Sequence, residues 1–206
     1  MKKIIFILPF LLAGCVTTYE ITEEQETRFE TKVNIREYNK LLSDYKIKPT
    51  FSSIISYPNG EYPEGLFYSA DGYGVNYDGD IGVTDVKLGF AVYKYDSDSF
   101  IKAIDKFLKW DTQALEASDS FTKLILETKG KDKSGIKVFN RFGFHSGNQY
   151  VNYFTIKVCV HSNMLNKTSC SHRGNLDKVS ALALKQEINM FVSGDIKQED
   201  TASKYN

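Results

Sequence analysis

Residues 86–117, VKLGFAVYKYDSDSFIKAIDKFLKWDTQALEA, decide the fold class because they join a strand pattern directly to a helix pattern. The first seven residues alternate in the way of a strand that buries one face, with the apolar side chains Val86, Leu88, Phe90 and Val92. The Asp and Ser residues at positions 96–99 are candidates for a helix N-cap. The helix that follows is predicted to bury a stripe of Phe100, Ile104, Phe107, Leu108 and Leu115.

Three more strand patterns follow this helix, at residues 121–128, 136–144 and 150–160. Gly-containing breaks at 129–135 and 146–148 have the length of hairpin loops, so these segments predict a three-stranded meander. In the last strand Phe154, Ile156, Val158 and Val160 share one face, and Tyr153, Thr155, Lys157 and Cys159 share the other. A closing helix is predicted over residues 176–191. The pattern indicates an α+β fold, an antiparallel sheet with helices packed on one face.

The amino-terminal half has weaker patterns. Alternation from Phe29 predicts a short strand, and the spacing of Ile35, Tyr38, Leu42 and Tyr45 predicts a helix that ends near residue 46. A second short strand is predicted at residues 51–57, and turns are expected to dominate residues 58–82. We expect one domain over residues 29–196, followed by a polar tail at residues 197–206.

Composition excludes several classes of protein. The chain has 26 basic and 26 acidic side chains, so no broad field favours nucleic acid as a partner, although a local patch is not excluded. Aromatic residues make up 14% of the chain, which is ample for a sheet-based core and argues against disorder of the whole chain.

The first residues have the features of an export signal. Lys2 and Lys3 precede an apolar run at residues 4–12, which is shorter than the roughly 20 residues of a spanning helix. The sequence Leu12-Ala13-Gly14-Cys15 then resembles the lipobox of bacterial lipoproteins. A signal peptide with an accidental cysteine is the alternative.

The resemblance to bacterial lipoproteins implies removal of residues 1–14 and attachment of diacylglycerol and a further acyl chain, such as palmitate, at Cys15. It also implies a cell-envelope location, and Val16 is similar to the outer-membrane sorting case if the cell has two membranes. Residues 15–28 are then expected to form the lipidated N-terminus and a flexible tether. The membrane, reached through the lipid anchor, is the first expected partner.

The two other cysteines, Cys159 and Cys170, form an even pair in a compartment that permits disulfides, so we expect a bridge between them. The bridge is expected to join the end of the last strand to the start of the last helix. A minor alternative is a zinc site, because Cys159, His161, Cys170 and His172 supply two Cys and two His. No cofactor is otherwise expected.

No catalytic motif is present, and His145 is expected to be a partly exposed turn histidine. Residues 57–80 are rich in Tyr, Gly and Pro, a composition used both by turn-rich connections and by binding surfaces. Calcium at Asp71, Asp78 and Asp80 is not favoured, because no ligand ladder ending in Glu is present. The candidate binding residues there are Tyr62, Tyr68, Tyr73 and Tyr77.

Three functions agree with these features. The first is a non-catalytic binding module for an envelope protein or glycan. The second is a hydrolase of envelope polymers whose carboxylates gather in a cleft that the sequence does not reveal. The third is an immunity or phage-exclusion lipoprotein, which is a binding module with a different partner.

Overall fold

Two antiparallel sheets and two α-helices form the core of the described part of the chain, which confirms the predicted α+β class. The computed structural model describes residues 25–56, 63–70, 74–75, 83–84, 88–133, 135–148 and 150–196. The strands before the first helix are β1 Gln25–Phe29, β2 Arg36–Asn39, β3 Asp44–Ile47, β4 Thr50–Ser56, β5 Gly65–Ala70, β6 Gly74–Val75, β7 Val83–Thr84 and β8 Leu88–Tyr93. A 3-10 turn, Lys94–Asp96, leads into α1 Ser97–Ala117. The remaining elements are β9 Thr122–Glu127, β10 Lys131–Lys133, β11 Ile136–Asn148, β12 Val151–Ser162, β13 Lys167–Leu176 and α2 Lys178–Ser193.

The small sheet has the order β1-β4-β5-β8, and the large sheet has the order β10-β11-β12-β13-β2-β3, with β9 pairing with β11 beside β10. Strands β6 and β7 form a separate two-stranded ribbon. The inner faces of both sheets share one core with α1 and α2. Phe100 of α1 joins the two sheets, because its ring lies 6.2 Å from that of Phe90 in β8 and 4.6 Å from that of Phe142 in β11.

The strand–helix unit and the meander are confirmed. The helix stripe buries Phe100, Ile104 and Phe107 completely, whereas Leu115 near the carboxyl end stays exposed. Asp96 precedes the helix without a side-chain cap, whereas Asp177 caps α2 by accepting a hydrogen bond from Ser180 N at 2.8 Å.

The helix predicted up to residue 46 is wrong, because β2 and β3 form a hairpin there. Asn39 Oδ1 accepts hydrogen bonds from the backbone N–H groups of Leu41 and Leu42, and Ser43 has a left-handed φ of 49°. These local features close a turn where helical spacing of apolar residues suggested continuity. The register pairs Tyr38 with Tyr45 across the hairpin.

The prediction also missed strands β5 and β13, and it misplaced the start of β1 and the end of β11. Turns do not dominate residues 65–70, because they form β5 in the middle of the small sheet. Residues 167–176 form β13, so the disulfide joins two neighbouring strands and not a strand and a helix. Strand β1 begins at Gln25, inside the stretch of residues 15–28 that was predicted as the lipidated N-terminus and tether. His145 lies within β11 and not in a turn.

Candidate functional site

The tyrosines predicted as a binding surface do not supply one in the described residues. Tyr68 is 2% exposed, and its hydroxyl donates a hydrogen bond to Glu187 Oε2 at 2.8 Å. A contact role for Tyr68 is therefore wrong, because its ring belongs to the core between Phe29 and Phe90. Tyr62, Tyr73 and Tyr77 lie outside the described residues, as do Cys15 and the aspartates at positions 71, 78 and 80.

Cys159 and Cys170 form the expected disulfide, with their sulfur atoms 2.05 Å apart. They stand directly opposite each other in the pairing of β12 with β13. His161 Nδ1 lies 2.9 Å from Thr168 Oγ1, and His172 is opposite Lys157. The disulfide removes both thiolates from the zinc alternative. Within the described ranges, no cluster of three His, Cys, Asp or Glu side chains could hold a metal ion.

A different surface lies on the outer face of the large sheet, opposite the face that packs on α1. We call it the Tyr–His surface and define it by Tyr38, Tyr45, His145 and Tyr153. The rings of Tyr45 and Tyr153 lie 4.1 Å apart, those of Tyr45 and Tyr38 5.2 Å apart, and those of Tyr45 and His145 6.0 Å apart. Tyr45 is therefore the centre of a cluster that joins Tyr38, Tyr153 and His145.

The position of the β2–β3 hairpin creates this surface. Strands β13 and β2 stand between β12 and β3 in the sheet order, so a flat sheet would hold β3 about 14 Å from β12. Contact between Tyr45 of β3 and Tyr153 of β12 shows that the hairpin folds back across the outer face. The strong curl of the sheet thus brings Tyr45 into contact with His145 and Tyr153, which lie 100 and 108 positions later in the sequence.

An ion pair and a hydrogen bond, both involving Arg36, hold the base of the β2–β3 hairpin. Arg36 donates from Nε and Nη2 to Asp177 Oδ2 at 3.0 and 2.6 Å. Asn175 Nδ2 donates to Arg36 O at 3.1 Å. Burial opposes the ionised form of Asp177, but the bonds from Ser180 and Arg36 outweigh it and lower the pKa of this carboxyl. One carboxylate thus caps α2 and anchors the hairpin.

Gly147 leaves room for the buried ring of Tyr153, which lies beneath Tyr45. A Cβ added at Gly147 would lie 2.5 Å from Tyr153 Cε2, closer than two carbon atoms can approach. Tyr153 is buried beneath Tyr45 and pairs with His145 in the β11–β12 register. Gly147 therefore permits the ring position on which Tyr45 packs.

Burial favours the uncharged forms of Tyr45, Tyr153 and His145. Burial, followed by the neighbouring tyrosines, raises the pKa of Tyr45, and burial also raises the pKa of Tyr153. Burial lowers the pKa of His145, whose Nδ1 lies 2.8 Å from Thr122 Oγ1. Raised tyrosine pKa values disfavour a phenolate base or nucleophile. The surface instead offers aromatic faces together with uncharged donors and acceptors, which suits contact with a protein or a sugar.

Carboxylates line two clefts elsewhere. A cavity of about 160 Å³ contains Asp111 and Asp177, but Asp177 holds Arg36, and Asp111 lies 3.1 Å from both Lys178 Nζ and Asn152 Nδ2. A larger open cleft, of about 710 Å³, is lined by Glu26, Arg28 and Glu30 with several hydroxyl side chains. The carboxylates of the larger cleft are exposed.

No family model matches the chain, and no curated protein is similar to it. Among the described residues, neither helix is long and apolar enough to cross a bilayer.

The apolar spacing predicts that Tyr38 and Tyr45 lie on a helix, and no sequence pattern links His145 with Tyr153. The usable signal was the polar segment at residues 39–44, NKLLSD, in which Asn and Asp flank a turn between two tyrosines. No local pattern indicated that the resulting hairpin crosses the sheet.

Proposed function

We propose that the chain is a membrane-anchored cell-envelope lipoprotein that acts as a non-catalytic binding module through the Tyr–His surface. The single observation that carries the binding role is the clustering of Tyr38, Tyr45, His145 and Tyr153 on the outer face of the large sheet. Envelope anchoring rests on the lipobox resemblance at residues 12–15. The partner is an envelope protein or glycan within reach of the anchored domain, and the outer membrane is the site in a two-membrane cell.

The surface has the properties that a contact site needs. Tyr38 is about half exposed, and the neighbouring turn presents Leu41 and Leu42 to solvent. Rigid tyrosines lose little conformational entropy on binding and combine apolar area with a hydroxyl. Anchoring of Arg36 to Asp177 keeps the hairpin in position before the partner arrives, which reduces the cost of association.

A photo-crosslinking residue at position 42, in the full-length lipidated protein in cells, tests this proposal. We expect a specific crosslinked adduct there, and Tyr38→Ala should reduce its yield by about tenfold, as expected for loss of a central aromatic contact. The matched control is a photo-crosslinker at position 150, where Tyr150 is also exposed but lies in the turn between β11 and β12. Equal adducts at both positions, or an adduct that is insensitive to Tyr38→Ala, would contradict the binding role of this surface.

The large cleft favours a hydrolase of envelope polymers as the second candidate. Glu26 and Glu30 line it together with Ser52, Ser53 and Ser69, and two carboxylates are the minimum for acid–base hydrolysis of a glycan. Incubation of the purified protein with peptidoglycan separates the candidates. Release of soluble fragments that Glu26→Gln or Glu30→Gln abolishes would establish the hydrolase, whereas the binding proposal predicts retention without turnover.

A further inference from the structure

The large sheet extends beyond the helices at one end. We call this end the distal arm, which comprises residues 136–140 of β11, 157–162 of β12, the turn 163–166 and residues 167–172 of β13. Near α1 and α2 the inward-facing side chains of β11 and β12 are fully buried, as Phe142 and Ile156 illustrate. In the distal arm Ile136, Val138 and Val160 are 48%, 46% and 41% exposed. This aliphatic side is therefore nearly half exposed to solvent.

The tip of the distal arm is apolar as well. Met164 is 90% exposed and Leu165 is 68% exposed in the turn between β12 and β13. The turn is ordered by a hydrogen bond from Leu165 N to Ser162 Oγ at 3.3 Å and by a left-handed φ of 46° at Asn166. This ordered turn thus presents the apolar side chains of Met164 and Leu165 to solvent.

Charge on this part of the chain is strongly one-sided. Residues 136–176 contain five Lys and Arg residues and no Asp or Glu, although the whole chain has a net charge of zero. Lys137 and Lys157 share the outer side of the distal arm with His161, and Lys167 begins β13 just after the tip. Flexible lysine stems can keep their ammonium groups in water while apolar neighbours are covered.

This combination fits a phospholipid surface better than a protein interface. Protein interfaces concentrate their binding energy in Trp, Tyr and Arg, whereas the tip and the aliphatic side of the distal arm carry Met, Leu, Ile and Val. An interfacial membrane segment pairs aliphatic side chains, which enter the acyl boundary, with lysines, which lie at anionic headgroups.

We propose that the distal arm docks on an anionic phospholipid bilayer, with Met164 and Leu165 in the interface and the nearby lysines at the headgroups. The inference depends on the proposed function in one respect: the lipid anchor must hold the domain close to the membrane. The sheet begins at Gln25, so the ten steps from Cys15 to Gln25 hold that residue within about 36 Å of the anchor even when fully extended. Docking then gives the lipoprotein a fixed orientation, because the lipid and the distal arm are two separate points of attachment.

Amide hydrogen exchange of the full-length lipidated protein, reconstituted into vesicles, tests the docking. In vesicles of phosphatidylcholine and phosphatidylglycerol, we expect amides 163–167 to exchange on the order of tenfold more slowly than in phosphatidylcholine alone or in detergent. Met164→Ser with Leu165→Ser should remove this protection. The matched control, Leu41→Ser with Leu42→Ser, changes another exposed apolar turn and should leave the protection intact.

Three outcomes would overturn the inference. The first is that the amides of residues 163–167 exchange at the same rate with and without phosphatidylglycerol. The second is protection that persists in detergent and rises with protein concentration, which would identify a second copy of the chain as the cover. The third is loss of protection in the Leu41 and Leu42 control. These vesicles contain no partner protein or glycan, so none of these outcomes bears on crosslinking at the Tyr–His surface.

Discussion

The Tyr68 hydroxyl donates a hydrogen bond to Glu187 Oε2 at 2.8 Å and so links the middle of the small sheet to α2. The same carboxylate accepts hydrogen bonds from Thr31 Oγ1 at 2.9 and 3.1 Å and from Lys32 N at 2.9 Å. A buried carboxylate is tolerated when donors surround it in this way. The hydrogen bond to Glu187 explains why Tyr68, although it lies in a Gly-rich segment, is buried in the core and not a surface residue.

Tyr68→Phe removes one donor from a buried charged acceptor while keeping the ring. We expect a loss of about 1.5–3 kcal/mol in the free energy of unfolding, the usual value for a hydrogen bond to a charged group. Urea denaturation followed by circular dichroism measures it. The control Tyr150→Phe changes an exposed tyrosine and should alter stability by less than about 0.5 kcal/mol. Equal effects of the two changes would contradict the role of Glu187.

Replacing both Cys159 and Cys170 by Ala should destabilise the exported protein without abolishing the fold. The bridge closes a loop with a sequence separation of 11, for which the chain-entropy model gives about 3 kcal/mol. The core contains both sheets and both helices and does not depend on the bridge. Denaturation with and without reductant is the measurement: reductant should weaken the wild type and leave the double variant unchanged. Unfolding of the double variant at 25 °C would refute this expectation.

The partly buried imidazole of His145 should make stability fall in mild acid. Its pKa is lowered in the folded protein, because burial disfavours the charged ring, so the unfolded chain binds the proton more readily. The stability that neutral His145 contributes is fully present above its pKa in the unfolded chain, about 6.5. It is lost as the pH falls through the lower pKa of His145 in the folded protein. Stability measured from pH 8 to pH 5 should show this decline, and His145→Gln should reduce it. A residual decline is expected because burial also lowers the pKa of His172. A titration by NMR that places the pKa of His145 above 6.5 would reverse the sign.

Gly147→Ala should disturb the Tyr–His surface through Tyr153. The added Cβ would lie 2.5 Å from Tyr153 Cε2, so the ring on which Tyr45 packs must move. Overpacking of this kind costs about 1–3 kcal/mol. A double-mutant cycle with Tyr153→Ala provides the check, because the cost of Gly147→Ala should largely vanish once the ring is gone. Additive effects would mean that the glycine serves another purpose.

The sequence predicted the elements whose apolar periodicity is long and agrees with local signals, namely β8 with α1, the meander and the closing helix. It misread the β2–β3 hairpin because the apolar spacing around Leu42 suits a helix, while one side chain, Asn39, and one left-handed residue, Ser43, close the turn. Strand β13 was not predicted because KTSCSHRGNL is mostly polar and exposed, so that its place depends on pairing with distant strands, chiefly β12, and not on a local pattern.

The candidate site was beyond prediction for a different reason. Its parts come from β2, β3, β11 and β12, and they meet only because the large sheet curls and the hairpin folds over it. The disulfide, in contrast, was predictable from cysteine parity, because the remaining cysteine was assigned to lipid.

The central claim, a lipid-anchored envelope protein, is tested most directly by the intact mass of the protein extracted from membranes. We expect a chain that begins at Cys15 and carries a diacylglyceryl group and a further acyl chain on that residue. The variant Cys15→Ala should lose the lipid and the membrane association, whereas the Cys159 and Cys170 variants should keep both. An exported chain with an unmodified Cys15, or a chain in the membrane fraction that still begins at Met1, would contradict the claim.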